Sequence, residues 1–386
     1  MPDVGTIRAF LAASHADLAA RCEAFAAADI APHTPPGNDD TARTQARAFA
    51  QLLGHAGWFN AIGAQDLRAC CLIRETLAQA SPLADAVFAL QALGSLPLVL
   101  AGSDAQKGRW LEPAMAGTAV AAFAMTEPEA GSDVAAMTTR ATADGTGFVL
   151  NGTKTFISNA GIADFYVVFA SSDPGAGSKA IGCFLVPANA SGFRFVRAQV
   201  LSAPHPLGEI AFVNCRVPAE DVLAAPGAGL NLGLATLDRL RATVGAAACG
   251  MAARALAEAL AHVRSRRQFG QALADFQLTQ ARLARMATDL AAARLLVYRA
   301  AADQDAGAER VTLQSAMAKS FATEAAQRIV DDAVQLLGGS GVLADHPVDR
   351  LYRSVRALRI YEGTTEIQHL IIARHLLRDA PATAQT

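Results

Sequence analysis

The apolar and polar positions divide the chain into three regions with different periodicity. Residues 1–118 have the composition and spacing of helices, with clear segments at 42–56 and 69–80. Residues 119–222 contain short apolar runs separated by glycine, proline, serine and asparagine, which is typical of strands. From 223 to 386, apolar residues recur at helical spacing over long segments. The pattern predicts an α+β protein that is mostly α, with an N-terminal helical domain, a middle β barrel or sandwich and a C-terminal helical bundle.

The middle region carries the clearest turn signal. Asn151-Gly152 lies between two apolar runs, and Asn-Gly supplies the positive φ angles of a two-residue type I′ turn. We therefore predict a hairpin in which residues 148–150 pair with residues 153–157. Further strands are predicted at 165–170, 181–186, 193–196 and 210–213.

The C-terminal region is predicted to fold as a four-helix bundle, because short connections join its long helical segments. Thr365 and Gln368 have the spacing of a capping box, which predicts the start of the last helix. The four predicted helices are residues 230–264, 276–302, 311–337 and 366–377.

Composition changes this picture by excluding some classes of protein. Of the 386 residues, 52% are hydrophobic and only 18% are charged, which is too apolar for a disordered chain. The net charge of -2 leaves no basic excess for binding a nucleic acid. Histidines and cysteines do not cluster at ligand spacing, so no metal site is expected.

The longest uncharged run, residues 86–102, is shorter than the ~20 apolar residues of a membrane span. It is interpreted as a buried core helix that breaks near Pro97, and no membrane span is expected. The first residues lack the basic segment and apolar core of a signal peptide. The six cysteines have no paired spacing, so a cytoplasmic protein with reduced thiols is expected.

Three glycine-containing segments hold residue types from which a site could be built, and each also has a structural interpretation. Residues 125–133 form a turn with hydroxyl and carboxylate groups, which could equally be a solvated connection. Residues 264–270 place cations at a helix end, where they could bind a pyrophosphate or complement the helix dipole. Adjacent glycines in 335–341 either allow close approach to a phosphate or terminate a helix.

A fourth segment contains Glu362, which lies among apolar residues, next to a glycine and just before a helix. A carboxylate that loses its water becomes more basic, which suits a general base. The alternative is an ordinary glutamate in a surface loop.

Taken together and in this order, the segments TEPEAGSDV, NGTKTFISN, RRQFG, QLLGGSG and YEGTTEIQ resemble the acyl-CoA dehydrogenase family. The resemblance covers nearly the whole chain and is strongest from 119 to 378. The fold that it implies has the same order as the three regions above: a helical domain, a β domain and a four-helix bundle. The implied domains are residues 1–118, 119–222 and 223–386.

Enzymes of this family oxidise an acyl thioester to its 2,3-enoyl thioester with tightly bound FAD. The resemblance implies that Glu362 removes the α proton while the β hydrogen leaves as a hydride to flavin N5. It also implies an acyl-CoA substrate and transfer of the electrons to an electron-transfer flavoprotein. A homodimer or homotetramer with FAD near the subunit interface is implied as well.

The resemblance assigns further residues to the cofactor and the substrate. Asp238 and Arg241 match CoA-side contacts, although their i, i+3 spacing also fits a pair on a helix surface. The implied FAD-binding residues are Phe123, Met125, Thr126, Gly131, Ser132, Phe156, Ser158, Arg266, Phe269, Gln335, Gly338, Gly339, Thr364 and Glu366. The implied substrate-binding residues are Ser132, Asp238, Arg241, Tyr361 and Gly363.

Two segments depart from the family pattern. Residues 57–64 lack the Pro-Glu-x-x-Gly-Gly loop of many relatives, and a shorter loop leaves the substrate entrance more open. A Pro-His-Pro sequence replaces a stretch rich in glycine, serine and threonine, and its His205 is interpreted as a turn residue in preference to a substrate contact. The small residues between 85 and 96, Gly94 among them, predict room for a bulky acyl group.

Other functions fit the same fold. An acyl-carrier-protein substrate stays open as an alternative to CoA. A flavin monooxygenase is disfavoured because such relatives usually lack the glutamate that Glu362 matches. An acyl-CoA oxidase, which would pass the electrons to oxygen, is a further alternative, and its common long forms carry an extra C-terminal domain. A cofactor-free helical scaffold would be colourless. The sequence does not specify the acyl chain.

Overall fold

A computed structural model describes residues 2–308 and 310–379 of the chain. The chain forms two compact units. The helical unit comprises the described residues of Met1–Pro32, Leu67–Pro82 and Arg241–Thr386, and the sheet unit comprises His33–Asp66 and Leu83–Leu240. The mostly helical content with one large sheet confirms the predicted fold class.

Thirteen α-helices lie in the described residues, most of them in the predicted helical regions. They are α1 (Val4–Ile7), α2 (Ala13–Phe25), α3 (Asp39–His55), α4 (Asn60–Gly63), α5 (Leu67–Ala80), α6 (Pro82–Ala101), α7 (Asp104–Gln106), α8 (Glu112–Met115), α9 (Gly229–Ser265), α10 (Gln277–Asp305), α11 (Thr312–Leu337), α12 (Pro347–Leu358) and α13 (Thr365–Asp379). The four long helices predicted after residue 223 correspond to α9, α10, α11 and α13.

The strands of the sheet unit form one eight-stranded sheet in the order β6-β7-β3-β2-β4-β5-β8, with β1 parallel to β4. Its strands are β1 (Ala121–Ala124), β2 (Arg140–Ala143), β3 (Gly147–Ser158), β4 (Phe165–Ser171), β5 (Ile181–Pro187), β6 (Phe193–Ala198), β7 (Leu207–Pro218) and β8 (Val222–Ala224). A separate two-stranded ribbon in the helical unit joins β9 (Arg267–Gln268) to β10 (Gln271–Ala272). All seven residues of β4 are buried, so this strand lies in the core of the sheet unit.

The predicted hairpin at Asn151-Gly152 is wrong, because β3 runs straight through both residues. The pairing of β3 with β7 shifts register between Leu150 and Gly152, so the Asn-Gly sequence forms a bulge and not a turn. Gly152 has φ +149°, and a Cβ there would lie 2.7 Å from the Cα of Thr139. Asn151 accepts a hydrogen bond from the backbone N–H of Asn214 on β7. The glycine therefore permits close strand packing, and long-range pairing overrides the local turn signal.

Helix α6 confirms the buried core helix predicted for residues 86–102 but does not break at Pro97. Proline removes one helical hydrogen bond, but the surrounding side chains are buried and hold the helix together. By length and hydropathy, α6 and α9 could each cross a membrane. Of the most apolar 18-residue segment of each helix, 72% in α6 and 61% in α9 is buried inside the protein.

A buried glutamine on α6 determines where β1 begins. The side-chain amide of Gln91 donates to the carbonyls of Ala114 and Ala119, each at 2.8 Å, and its oxygen accepts from the N–H of Ala121. Gly94 lies against the same strand, since a Cβ at this position would come 2.6 Å from the Cβ of Ala121. The small residue at 94 is thus used for helix–strand packing, which corrects the prediction that it leaves room for substrate.

The helical unit is built around close contacts between its long helices. Gly250 on α9 packs on α5, where a Cβ would lie only 2.1 Å from the carbonyl oxygen of Glu75. The Glu75 carboxylate is buried, and it accepts hydrogen bonds from Arg294 at 2.7 Å and from the hydroxyl of Tyr298 at 2.9 Å, both on α10. These paired polar groups link α5 to α10 inside an otherwise apolar core.

Candidate active site

One group of predicted site residues lies in the sheet unit, just after β1. The ring of Phe123 packs 4.9 Å from that of Phe169, measured between centroids. Met125 is buried and Thr126 is half-buried. The chain then turns, with reciprocal backbone hydrogen bonds between Glu127 and Ala130.

Beyond this turn the predicted residues reach the surface. Gly131 and Ser132 are both exposed, and a Cβ on Gly131 would meet nothing within 4 Å. A ligand could therefore approach the backbone closely at this position.

A buried ion pair fixes this turn to the sheet, and the sequence analysis did not single it out. Lys154 on β3 donates to the Glu127 carboxylate at 2.8 Å and to the carbonyl of Met125 at 2.9 Å. The same carboxylate accepts from the backbone N–H groups of Thr138 and Thr139. Every polar contact of the pair is therefore made inside the protein.

The electrostatics of the pair follow from its burial and its partners. Burial raises the pKa of Glu127, but the Lys154 charge and the hydrogen bonds from Lys154, Thr138 and Thr139 outweigh it and lower the pKa to about 2. Burial lowers the pKa of Lys154 to about 8, opposed by the Glu127 charge. The turn that follows β1 is therefore held by a complete ionic network.

Phe156 and Ser158 lie on β3, close to the turn. The backbone N–H of Thr155 donates to the carbonyl of Thr126 at 3.0 Å, which joins the two predicted segments. Phe156 has φ +54°, a conformation rare for a bulky residue, and its side chain is 61% exposed. Ser158 is half-buried at the end of the strand. The structure thus joins the segment that contains Met125 and Thr126 to the part of β3 that carries Phe156.

The two segments that depart from the family pattern also lie in the sheet unit. In residues 57–64 the short helix α4 follows Gly57, which has φ +76°. His205 is half-buried, and burial lowers its pKa to about 4. The Asp39 charge opposes this shift of the pKa, whereas the Arg43 charge adds to it. Arg43 donates to the carbonyl of Leu207 just after the Pro-His-Pro sequence. The role of His205 as a turn residue stays a prediction.

Another group of predicted site residues lies in the helical unit, between α12 and α13. Glu362 and Gly363 have φ +53° and +89°, so two successive residues adopt left-handed conformations. Two donors bind the carbonyl of Gly363: the Lys319 ammonium at 2.6 Å and the Gln368 amide at 2.9 Å. The backbone that carries Glu362 is therefore clamped from α11 and from α13.

The charge environment of this turn is set by Lys319. Its side chain is buried, and burial lowers its pKa to about 8. The Glu362 charge opposes that shift, whereas the charge of Arg241, a buried residue on α9, adds to it. Glu362 is half-buried and its Oε2 atom is fully buried. Lys319 and Gln368 had no predicted role at this turn.

The start of α13 differs from the predicted capping box by one residue. Thr364 caps the helix, because its hydroxyl accepts from the N–H of Ile367 at 3.3 Å. The hydroxyl of Thr365 instead donates to Glu324, and the amide of Gln368 binds the Gly363 carbonyl. Glu366 is exposed, and hydrogen bonds from its own backbone N–H and from Thr364 lower its pKa.

The remaining predicted residues occupy other elements. Tyr361 is partly exposed beside Glu362, and Asp238 is half-buried on α9, one turn before Arg241. Phe269 is 94% exposed, with φ +51°, at the tip of the β9–β10 ribbon. Arg266, Gln335, Gly338 and Gly339 are all exposed, at the ends of α9 and α11.

Most of the chain matches models of one family of flavin-dependent dehydrogenases. The N-terminal, middle and C-terminal domain models of acyl-CoA dehydrogenases match residues 12–118, 122–215 and 227–377. The chain belongs to the acyl-CoA dehydrogenase family. It is an oxidoreductase that acts on acyl-CoA and uses FAD.

Individual relatives are similar over nearly the full length. The probable acyl-CoA dehydrogenase FadE25 of Mycobacterium tuberculosis is 39% identical over 374 residues, covering 94% of this chain and 95% of the relative. Butyryl-CoA dehydrogenase from Megasphaera elsdenii superposes with a TM-score of 0.88 at 32% identity, covering 95% of this chain and 99% of that one.

A chain from a structure described as an electron transferring flavoprotein of Acidaminococcus fermentans has a TM-score of 0.88 and 34% identity. It covers 96% of this chain and 99% of that one.

The residues present suit FAD. In the sheet unit, the exposed ring of Phe156 and the half-buried Phe123 offer flat apolar faces, and Ser132 and Ser158 offer hydroxyls. In the helical unit, Cβ atoms on Gly338 and Gly339 would meet nothing within 4 Å, which leaves the backbone open to a phosphate. The exposed guanidinium of Arg266 could pair with a phosphate of the cofactor.

Proposed function

We propose that this enzyme converts an acyl-CoA thioester to the trans-2-enoyl-CoA. Glu362 takes the α proton, the β hydrogen leaves with its electron pair, and a double bond forms between C2 and C3. Bound FAD supplies the acceptor for that hydride. The two electrons then pass to an electron-transfer flavoprotein, in keeping with the structural similarity to a chain from such a system.

The conformation of Glu362 is the observation that carries this proposal. Glu362 has a left-handed backbone, and Lys319 and Gln368 bind the carbonyl of the next residue, Gly363. These contacts fix the position of the backbone from which the carboxylate extends. Its Oε2 atom is buried, and removal of water makes a carboxylate a more effective base. An α C–H is a very weak acid, so proton removal also needs a donor to the thioester carbonyl. We assign that donation to the backbone N–H of Glu362.

The other predicted residues would bind the two ligands. Thr126, Phe156 and their neighbours would contact the flavin ring, and Thr364 and Glu366 are also assigned to FAD. Ser132, Asp238, Arg241, Tyr361 and Gly363 would contact the acyl-CoA. Arg241 supplies a buried positive charge beside Lys319, which suits an anionic or polarised ligand group.

A homodimer or homotetramer is part of the proposal. The Phe269 side chain is 94% exposed and that of Leu278, at the start of α10, is 87% exposed. Burial of these two apolar side chains against a second subunit would remove them from water. Phe269, Arg266, Gln335, Gly338 and Gly339 would then contact the FAD of a neighbouring subunit.

Anaerobic reduction of the bound flavin tests this function. The purified holoenzyme is mixed with straight-chain, branched, cyclic and aryl acyl-CoA thioesters, and the loss of flavin absorbance is followed. We expect at least one thioester to bleach the flavin and yield the trans-2-enoyl-CoA. Bleaching only by acyl-carrier-protein thioesters, or no bleaching by any thioester, would contradict the proposal. Oxygen is then admitted to the reduced enzyme, and rapid reoxidation with peroxide release would contradict it as well.

A further inference from the structure

The bulge in β3 that presents Phe156 needs support from outside its own strand. The register between β3 and β7 shifts between Lys154 and Ile157, so the regular strand pairing is interrupted at Phe156. The residue takes a left-handed backbone, and its ring is largely exposed. An L-residue of this size rarely adopts such a conformation without surrounding contacts that enforce it.

The side chain of Gln199 supplies those contacts. Its Oε1 accepts a hydrogen bond from the backbone N–H of Phe156 at 2.8 Å, and its Nε2 donates to the hydroxyl of Thr155 at 2.9 Å. One amide group thus binds two successive residues of the bulge. It also satisfies a backbone N–H at the point where strand pairing is irregular.

Gln199 is itself well placed to act as a fixed support. It directly follows β6, and its backbone N–H donates to the carbonyl of Leu207 at 3.0 Å, which is the first residue of β7. Its side chain is half-buried. The bulge is also joined to the turn after β1, because the N–H of Thr155 donates to the carbonyl of Thr126.

We propose that Gln199 is a positioning residue for FAD, which holds Phe156 in the left-handed, outward conformation in which its ring lies against the flavin. The inference rests on the proposed function, in which Phe156 contacts the flavin ring. Without the Gln199 side chain, the Phe156 N–H loses its acceptor, and the bulge can relax to an ordinary negative φ that turns the ring elsewhere.

The experiment measures FAD affinity of the apoprotein, by quenching of flavin fluorescence, so that turnover is not needed. Gln199→Leu removes both hydrogen bonds, and we expect its dissociation constant for FAD to rise about tenfold. Gln199→Glu keeps an acceptor for the Phe156 N–H and should stay within about twofold of the wild type. Gln45→Leu on α3, where the glutamine makes one backbone hydrogen bond to Thr34, is the matched control and should bind FAD normally.

Phe156→Ala separates the two ideas. Weaker binding in Phe156→Ala with no further loss in the double variant Gln199→Leu/Phe156→Ala supports the proposal, because Gln199 then acts through the ring. If Gln199→Leu weakens FAD binding as much in the Phe156→Ala background as it does in the wild type, the proposal is overturned. Normal binding by Gln199→Leu with weak binding by Phe156→Ala would also overturn it and leave the flavin contact intact. Normal binding by Phe156→Ala would reject the flavin contact itself.

Discussion

Lys154 in the sheet unit and Lys319 in the helical unit are both buried lysines that donate to a backbone carbonyl beside a predicted site residue. Lys154 binds the carbonyl of Met125, and Lys319 binds the carbonyl of Gly363. Burial lowers the pKa of each to about 8. The two lysines differ in what else they contact.

Lys154 has a carboxylate partner within hydrogen-bonding distance, Glu127, which also accepts from the backbone N–H groups of Thr138 and Thr139 and from the Thr138 hydroxyl. Lys319 donates directly to the carbonyl of Gly363, beside Glu362, and interacts with Glu362 through its charge. Removing one partner of a buried ion pair is strongly destabilising, because it leaves the other charge buried and uncompensated. We interpret Lys154 as a support for the fold of the turn and Lys319 as a support for the proposed base.

The largest effect on stability is expected from Lys154→Met. The substitution leaves the Glu127 carboxylate buried without its cation, and breaking such a pair costs about 3–5 kcal/mol of unfolding free energy. Urea unfolding of the apoprotein measures the loss. The double variant Glu127→Leu/Lys154→Met removes both charges and should recover most of it. A single variant as stable as the wild type would remove the distinction between the two lysines.

Acid should expose the same pair. The pKa of Glu127 is lowered from 4.5 to about 2, so its contribution is present above about pH 4.5 and is lost as the pH falls toward 2. Over that range we expect the wild type to lose up to about 3 kcal/mol more unfolding free energy than Glu127→Leu/Lys154→Met. Unfolding curves at several pH values give the comparison. Parallel losses in the two proteins would show that the pair does not stabilise the turn.

A smaller effect on stability is expected from Lys319→Met. The Gly363 carbonyl keeps its hydrogen bond from Gln368, so the expected loss is about 1–2 kcal/mol. Because the turn that carries Glu362 loosens, the rate of anaerobic flavin reduction should fall about tenfold while FAD binding stays unchanged. Lys179→Met, at an exposed lysine, is the control. A stable variant with the wild-type rate would mean that Lys319 does not support the base.

The sequence predicted most of the long elements and failed where distant contacts decide the local structure. The helices after residue 223 follow from apolar spacing alone, since most helix stability comes from burying one face. At Asn151-Gly152 the local turn signal was strong, but pairing with β7 and packing on Thr139 keep the strand continuous. At Pro97, burial of the surrounding residues maintains the helix.

The candidate site divides in the same way. Glu362 and Phe156 were predicted from motifs, and both have a left-handed backbone, a strained conformation for residues of this size. The residues that support these segments were not predicted, because each lies far away in sequence from the group that it binds. Lys154 is 27 residues from Glu127, Gln199 is 43 residues from Phe156, and Lys319 is 44 residues from Gly363. Only the folded chain brings these groups together.

The measurement that tests the central claim most directly is single-turnover flavin reduction by Glu362→Gln. The variant keeps the size and hydrogen-bonding capacity of the side chain but cannot accept the α proton. Mixed anaerobically with a thioester that reduces the wild type, it should retain bound FAD and bleach it at least about 1,000-fold more slowly. Bleaching at the wild-type rate with FAD bound would contradict the assignment of Glu362 as the base.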